Sequence, residues 1–138
     1  MKNSLLTFAL VLTSLFSFSQ DTGVNITLTI DNVKSDKGNV KMSLHTIDTF
    51  MKGKGLESGK SEIKDGKVTI TFINVTPGDY AVIAFHDENE NNKMDFGENG
   101  MPLESYGMSN NAMSFGPPQY EDAKFTVADK DLELSIRF

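Results

Sequence analysis

Apolar residues recur at every second position over four separate stretches of this chain. That period fits a β-sheet covering a core on one side and little else. Val24, Ile26, Leu28 and Ile30 alternate with Asn25, Thr27, Thr29 and Asp31. The same pattern runs through Val40–Leu44, Val68–Phe72 and Leu132–Phe138, with Lys, Ser, Thr, Glu and Arg between the apolar positions. Successive side chains of a strand point to opposite faces, so this spacing predicts strands with one buried and one solvated face. Tyr80 to Phe85 is apolar on both faces and reads as a central strand, and Ala123 to Val127 as a further short one.

Turn chemistry separates the runs. Asp36-Lys37-Gly38 and Asp65-Gly66 punctuate the first half. Thr76-Pro77-Gly78-Asp79 predicts a type II turn, in which Pro fixes one central φ and Gly accepts a positive one. Thr46 to Met51 has room for a single helical turn before Gly53 and Gly55, and nothing longer reads as helix. The expectation is an all-β fold, an antiparallel β-sandwich of about seven strands with one long ordered loop.

Lys2 followed by the apolar run Leu5 to Phe16 and the small-residue segment Ser17-Phe18-Ser19 predicts a signal peptide over residues 1–19. Residues 20–138 then form a single domain, large enough for a self-sufficient core. There is no cysteine, which excludes both disulfide staples and a lipid anchor. Loss of Lys2 with the leader takes the net charge from −6 to −7. Such a surface repels nucleic acid and anionic lipid and suits divalent cations or a basic partner. The expected location is periplasmic or extracellular, with no stable membrane insertion after cleavage. An outer-membrane barrel needs about eight longer alternating segments with a lipid-facing apolar band, and these strands are too few and too charged outside.

One stretch carries chemistry. Asp87, Asn89, Asn91, Asp95 and Glu98 stand at positions 1, 3, 5, 9 and 12 of a twelve-residue run, with the carbonyl of Lys93 at position 7. This is the ligand order of a calcium loop. Ca²⁺ takes six to eight oxygens, and alternate positions of a tightly curled loop all point inward. Asn92 holds position 6, where Gly is usual, and asparagine tolerates the left-handed backbone needed there. Tyr80 to Phe85 enters as a strand, while Gly97, Gly100 and Pro102 forbid a following helix. The pattern therefore predicts an EF-like loop on a strand end, with Ca²⁺ in a structural role, rather than a helix-opening switch. Without a cation the run is a solvated acidic turn, since Asp and Asn are turn formers in their own right.

Residues 87–122 have no clear strand, far beyond the roughly fifteen residues usual for a loop in a compact domain. Phe96, Met101, Leu103, Tyr106, Met108, Met113, Phe115 and Tyr120 are expected to anchor it, and a bound cation at its base would offset its ordering entropy. Tyr106, Asn110, Phe115 and Tyr120 are the candidate contacts for a carbohydrate or peptide. Of the two histidines, His45 and His86, the second abuts Asp87 and reads as a strand-end residue hydrogen-bonded to backbone rather than a metal contact, and the seven methionines read as core rather than as copper ligands. No nucleophile elbow, zinc pair or phosphate-cradling loop occurs, so no enzymatic activity is expected.

Asn74-Val-Thr-Pro-Gly-Asp-Tyr80-Ala-Val resembles the strand-entry motif of transthyretin-like β-sandwich modules. The run from Gly78 to Asn91, then Gly100-Met-Pro102, Tyr106-Gly-Met-Ser-Asn110 and Phe115-Gly-Pro-Pro118, is similar to an exported bacterial family, the domain-of-unknown-function family numbered 2141. The leader, with its Ser-Phe-Ser-Gln end, resembles those of Bacteroidetes. These resemblances imply a β-sandwich and export, and they imply no activity. The sequence thus points to a secreted, non-catalytic sandwich whose 87–98 loop binds calcium and orders a recognition loop for an unknown protein or glycan. A carbohydrate- or peptide-binding module without metal is the rival.

Overall fold

The computed structural model describes residues 23–113 and 115–138, so the leader expected at 1–19 lies outside the described residues. Eight strands follow one another: β1 Val24–Ile30, β2 Asn39–His45, β3 Glu57–Glu62, β4 Val68–Val75, β5 Gly78–Asp87, β6 Tyr106–Met108, β7 Phe125–Val127 and β8 Leu132–Ser135. A 3₁₀ turn at Ser109–Asn111 and one helical turn, α1, at Tyr120–Ala123 complete the order. One sheet runs β4-β1-β8 and the other β3-β2-β5-β6, with β7 paired to the first residues of β5. The fold is an all-β sandwich. Its pairings are antiparallel except one: β8 returns beside β1 in parallel.

The alternating residues meet as expected. Ile26, Leu28 and Ile30 of β1 are fully buried between the sheets with Val40 and Met42 of β2, Val68 and Phe72 of β4, and Val82 and Ala84 of β5. Each such large side chain contributes about 1.5–3 kcal/mol by leaving water. The outward threonines pair across the ladder, Thr27 with Thr71 at 3.1 Å and Thr29 with Thr69 at 3.4 Å. Tyr80 closes the β4–β5 corner by donating its hydroxyl to the Thr76 carbonyl at 2.8 Å.

β5 is buried on both faces, and its second face explains how the long segment is held. Ala81 and Ile83 pack there with Phe50, Met108, Ala112, Tyr120 and Ala123. Phe50 arrives on the turn after β2, where its N–H bonds the Thr46 carbonyl at 3.0 Å in one helical turn. Its ring stands edge-on to Tyr120 at 5.7 Å and to His45 at 5.9 Å. Ser109, fully buried, accepts from the Val82 N–H at 2.9 Å and donates to the Ala123 carbonyl.

One strand was not foreseen, and three expectations need correction. β3 (ESGKSE) has no apolar alternation: it is an edge strand, largely exposed and, among the described residues, paired to β2 alone. β6 interrupts the supposed loop, adding to β5 opposite Ile83–Phe85. Gly78 has φ 159°, an extended value, and pairs with Val127 rather than forming the centre of a type II turn. Of the apolar anchors, only Met108 and Tyr120 join the second core; Phe96, Met101 and Leu103 are 60–70% exposed, and Met113 and Phe115 project fully into solvent.

Candidate functional site

Asp87 is the last residue of β5, and its side chain is completely buried at the strand end. A buried carboxylate requires donors. The chain supplies them by curling back: Asn91 N–H bonds Oδ1 at 3.0 Å and Asn92 N–H bonds Oδ2 at 2.9 Å. The curl needs left-handed backbone at Glu90 (φ 58°) and Asn92 (φ 66°). Asn92 takes the conformation for which Gly is usual at position 6 at little cost, because its short polar side chain tolerates it.

The next two ligand candidates form local turns. The Asn89 Oδ1 accepts the Asn91 N–H at 3.2 Å, and the Asn91 Oδ1 accepts the Lys93 N–H at 3.1 Å. Their amide nitrogens both reach Asp95, Asn89 at 2.7 Å and Asn91 at 2.8 and 2.9 Å. The Asn91 donor, then the Asn89 donor, hold the Asp95 carboxyl below the usual carboxylate range. Asp87, Asn89, Asn91 and Asp95 therefore sit in one hydrogen-bonded network. Glu98 does not join it: the residue is exposed, and among the described residues it bonds none of the other five.

A different carboxylate closes the loop. After Asp95 the chain reverses through Gly97–Gly100, with the Gly97 N–H on the Met101 carbonyl at 2.8 Å and the Leu103 N–H on the Asp95 carbonyl at 2.9 Å. This returns Glu104, whose Oε1 accepts the Glu88 N–H and whose Oε2 accepts the Asp95 N–H, each at 3.2 Å. Spacing alone hides this residue, because its distance from Asp87 depends on the reversal.

The base of the loop is backed by neighbouring elements. Gly38 (φ 69°) lies so close that a Cβ there would stand 2.2 Å from the Asp87 carbonyl oxygen. The His86 Nε2 is 2.7 Å from the Lys37 carbonyl, which makes it a structural residue with no free nitrogen on that side. Lys41 of β2 places its ammonium 4.0 Å from Asp87 Oδ2 and donates to Asn92 Oδ1. Asn39, directly opposite Asp87 in the ladder and 5% exposed, donates to Glu90 Oε1 at 3.2 Å, and its own buried oxygen has no donor among the described residues.

The donor set is made of hard oxygens and fits a calcium-type ion in kind: two carboxylates, two amides and an orphaned buried oxygen. Among the described residues, no three Asp, Glu or His side chains stand together as a ready cluster. Loading the loop requires the Asn89 and Asn91 amides to turn their oxygens toward Asp95, a rotation about terminal torsions that are broad and soft.

The other candidates divide. Asn110 donates to the Asp122 and Lys124 carbonyls at 3.1 and 2.7 Å, and Tyr120 packs on Phe50, so both hold structure. Tyr106 lines a groove of about 520 Å³ with Asn111, Met113, Pro118, Arg137 and Phe138, and Phe115 is exposed outside that lining. No helix among the described residues is long and apolar enough to cross a membrane.

Among solved structures, the chain is similar to the pilus-presented adhesin Spy0125 (Cpa), at 17% identity over 85% of this chain and 26% of the adhesin chain, with a TM-score of 0.29. A cysteine-to-alanine mutant of the same adhesin gives 18%, 83%, 26% and 0.27. The chain thus spans about a quarter of the adhesin's length. No curated protein matches it. Residues 28–135 match the family described as an uncharacterized protein conserved in bacteria (DUF2141), and the chain belongs to that family.

Proposed function

We propose that this protein is an exported, non-catalytic β-sandwich whose 87–98 loop binds Ca²⁺ and thereby fixes the adjoining tip for recognition of a protein or glycan. The observation that carries the reading is the buried Asp87 carboxylate, which caps positions 5 and 6 and winds the loop with Asn92 left-handed. Asp87, Asn89, Asn91 and Asp95 would hold the ion, joined by the Lys93 carbonyl. Glu98 would join only by turning inward. Extracellular calcium modules need only about 10⁻⁴ to 10⁻³ M affinity, which suits a site with few carboxylates. The tip then presents Phe96, Met101 and Leu103, whose exposure is what a recognition surface requires. The test is a thermal melt with and without millimolar Ca²⁺. At ten times Kd the expected stabilisation is about 1.4 kcal/mol, reversed by EDTA and absent in Asp87→Ala. An unchanged wild-type melt ends the reading.

The metal-free alternative, a carbohydrate- or peptide-binding module, is favoured by the Tyr106–Arg137 groove and the exposed Phe115. It expects signal on a glycan or peptide array that Tyr106→Ala abolishes and EDTA leaves intact.

A further inference from the structure

Strand β2 lies outside the twelve-residue loop, yet two of its residues bear on the loop's interior. Side chains of Asn39 and Lys41, two positions apart, share one face of β2, the face that carries Asp87 on β5. The Asn39 oxygen is buried and has no donor among the described residues. A buried polar atom without a partner is costly, and Asn39 stands opposite Asp87 in the ladder. Lys41 supplies positive charge to the same spot, with its ammonium on the Asn92 oxygen and near Asp87.

We propose that Lys41 is a tethered counter-ion that Ca²⁺ displaces from the loop. The inference rests on the calcium reading of the loop and adds how its affinity is set. With no ion bound, the ammonium partly neutralises Asp87 and holds the curl through Asn92. A divalent ion entering beside Asp87 meets that ammonium at short range, and the like charges repel. The ammonium must swing toward solvent, which its long flexible stem permits, since the side chain is already 21% exposed. Binding is thus an exchange of one cation for another, weaker than the oxygen set alone would give. At a separation of several ångströms in a largely solvated site, removing one unit of repulsion from a divalent ion is worth about a tenfold change in affinity.

The test is calorimetric titration of the chain with CaCl₂ alone, comparing wild type, Lys41→Met, Lys41→Gln and Lys41→Arg. Lys41→Met and Lys41→Gln are expected to bind about tenfold more tightly and to melt lower without calcium. Lys41→Arg is expected to bind within twofold of wild type. On the unaltered chain, the Lys41 ammonium resonance should shift on calcium addition as its bond to Asn92 breaks, a readout independent of any variant's folding. Unchanged affinity in both neutral variants, or a Lys41 resonance that calcium does not move, overturns the proposal while the calcium loop stands. Absence of calcium binding in all four chains overturns the loop reading and this proposal together.

Discussion

The sandwich interior and the 88–105 segment are ordered by opposite means. Between the sheets, β1, β2, β4 and β5 interlock through aliphatic side chains with almost no exposure and few polar contacts. Beyond β5 the relation inverts: Phe96, Met101 and Leu103 face water, while Asp87 and Glu104 draw backbone N–H groups inward and Asp95 gathers the side-chain amides of Asn89 and Asn91. Apolar burial is non-directional and spreads over many residues, so it tolerates error at any one. Hydrogen bonds to a few carboxylates are directional and concentrated, so the segment depends on a handful of atoms. The contrast separates what holds the molecule together from what shapes its tip.

Three perturbations press on that contrast, in descending size. Leu28→Ala deletes a fully buried side chain from the central strand of its sheet. It should cost about 3 kcal/mol of global stability in urea unfolding; a loss below about 1 kcal/mol would mean the sandwich is not held by that core. Glu104→Ala frees the N–H groups of Glu88 and Asp95 at the segment's base. It should cost about 1 kcal/mol, with hydrogen-exchange protection falling across 88–104 and unchanged in β1 and β4. Protection lost equally in both regions would erase the distinction.

The smallest concerns His45, which burial beside Phe50 holds below its ordinary value of 6.5 despite an opposing bond to the Thr49 carbonyl. The unfolded chain takes up this proton first as pH falls. Stability is therefore complete above pH 6.5 and declines below it, toward the lower folded-state value. His45→Gln should flatten that part of the stability curve. A wild-type profile that rises between pH 7 and 5.5 would contradict the assignment.

Legibility from sequence follows the same divide. β1, β2, β4 and β8 were readable because one-sided burial imprints alternation on the chain, and β5 because burial on both faces imprints a continuous apolar run. β3 left no imprint: its polar side chains stay in solvent and its order comes from backbone pairing to β2, helped by Gly59, where a Cβ would stand 2.8 Å from the Ile70 side chain. β6 is three residues long and exists by pairing to β5. In the loop, the Asp87–Asn89–Asn91–Asp95 network was visible as spacing, since those contacts are local. Glu104, Lys41 and Asn39 were not, because each reaches the loop through a chain reversal or a cross-strand register that spacing does not encode. The apolar residues of the long segment misled for a physical reason. Met108 and Tyr120 found the second face of β5, and Phe96, Met101 and Leu103 join neither core and stay exposed.

Glu104 has an architectural consequence. By tying the N–H groups of Glu88 and Asp95 to one carboxylate, it knots the neck of the segment, and the residues from Phe96 to Leu103 hang beyond the knot. A sequence of another length or composition grafted between those positions would leave the neck, the strand end and the sandwich untouched. The scaffold is thereby suited to diversification at its crown, one frame carrying many interchangeable heads.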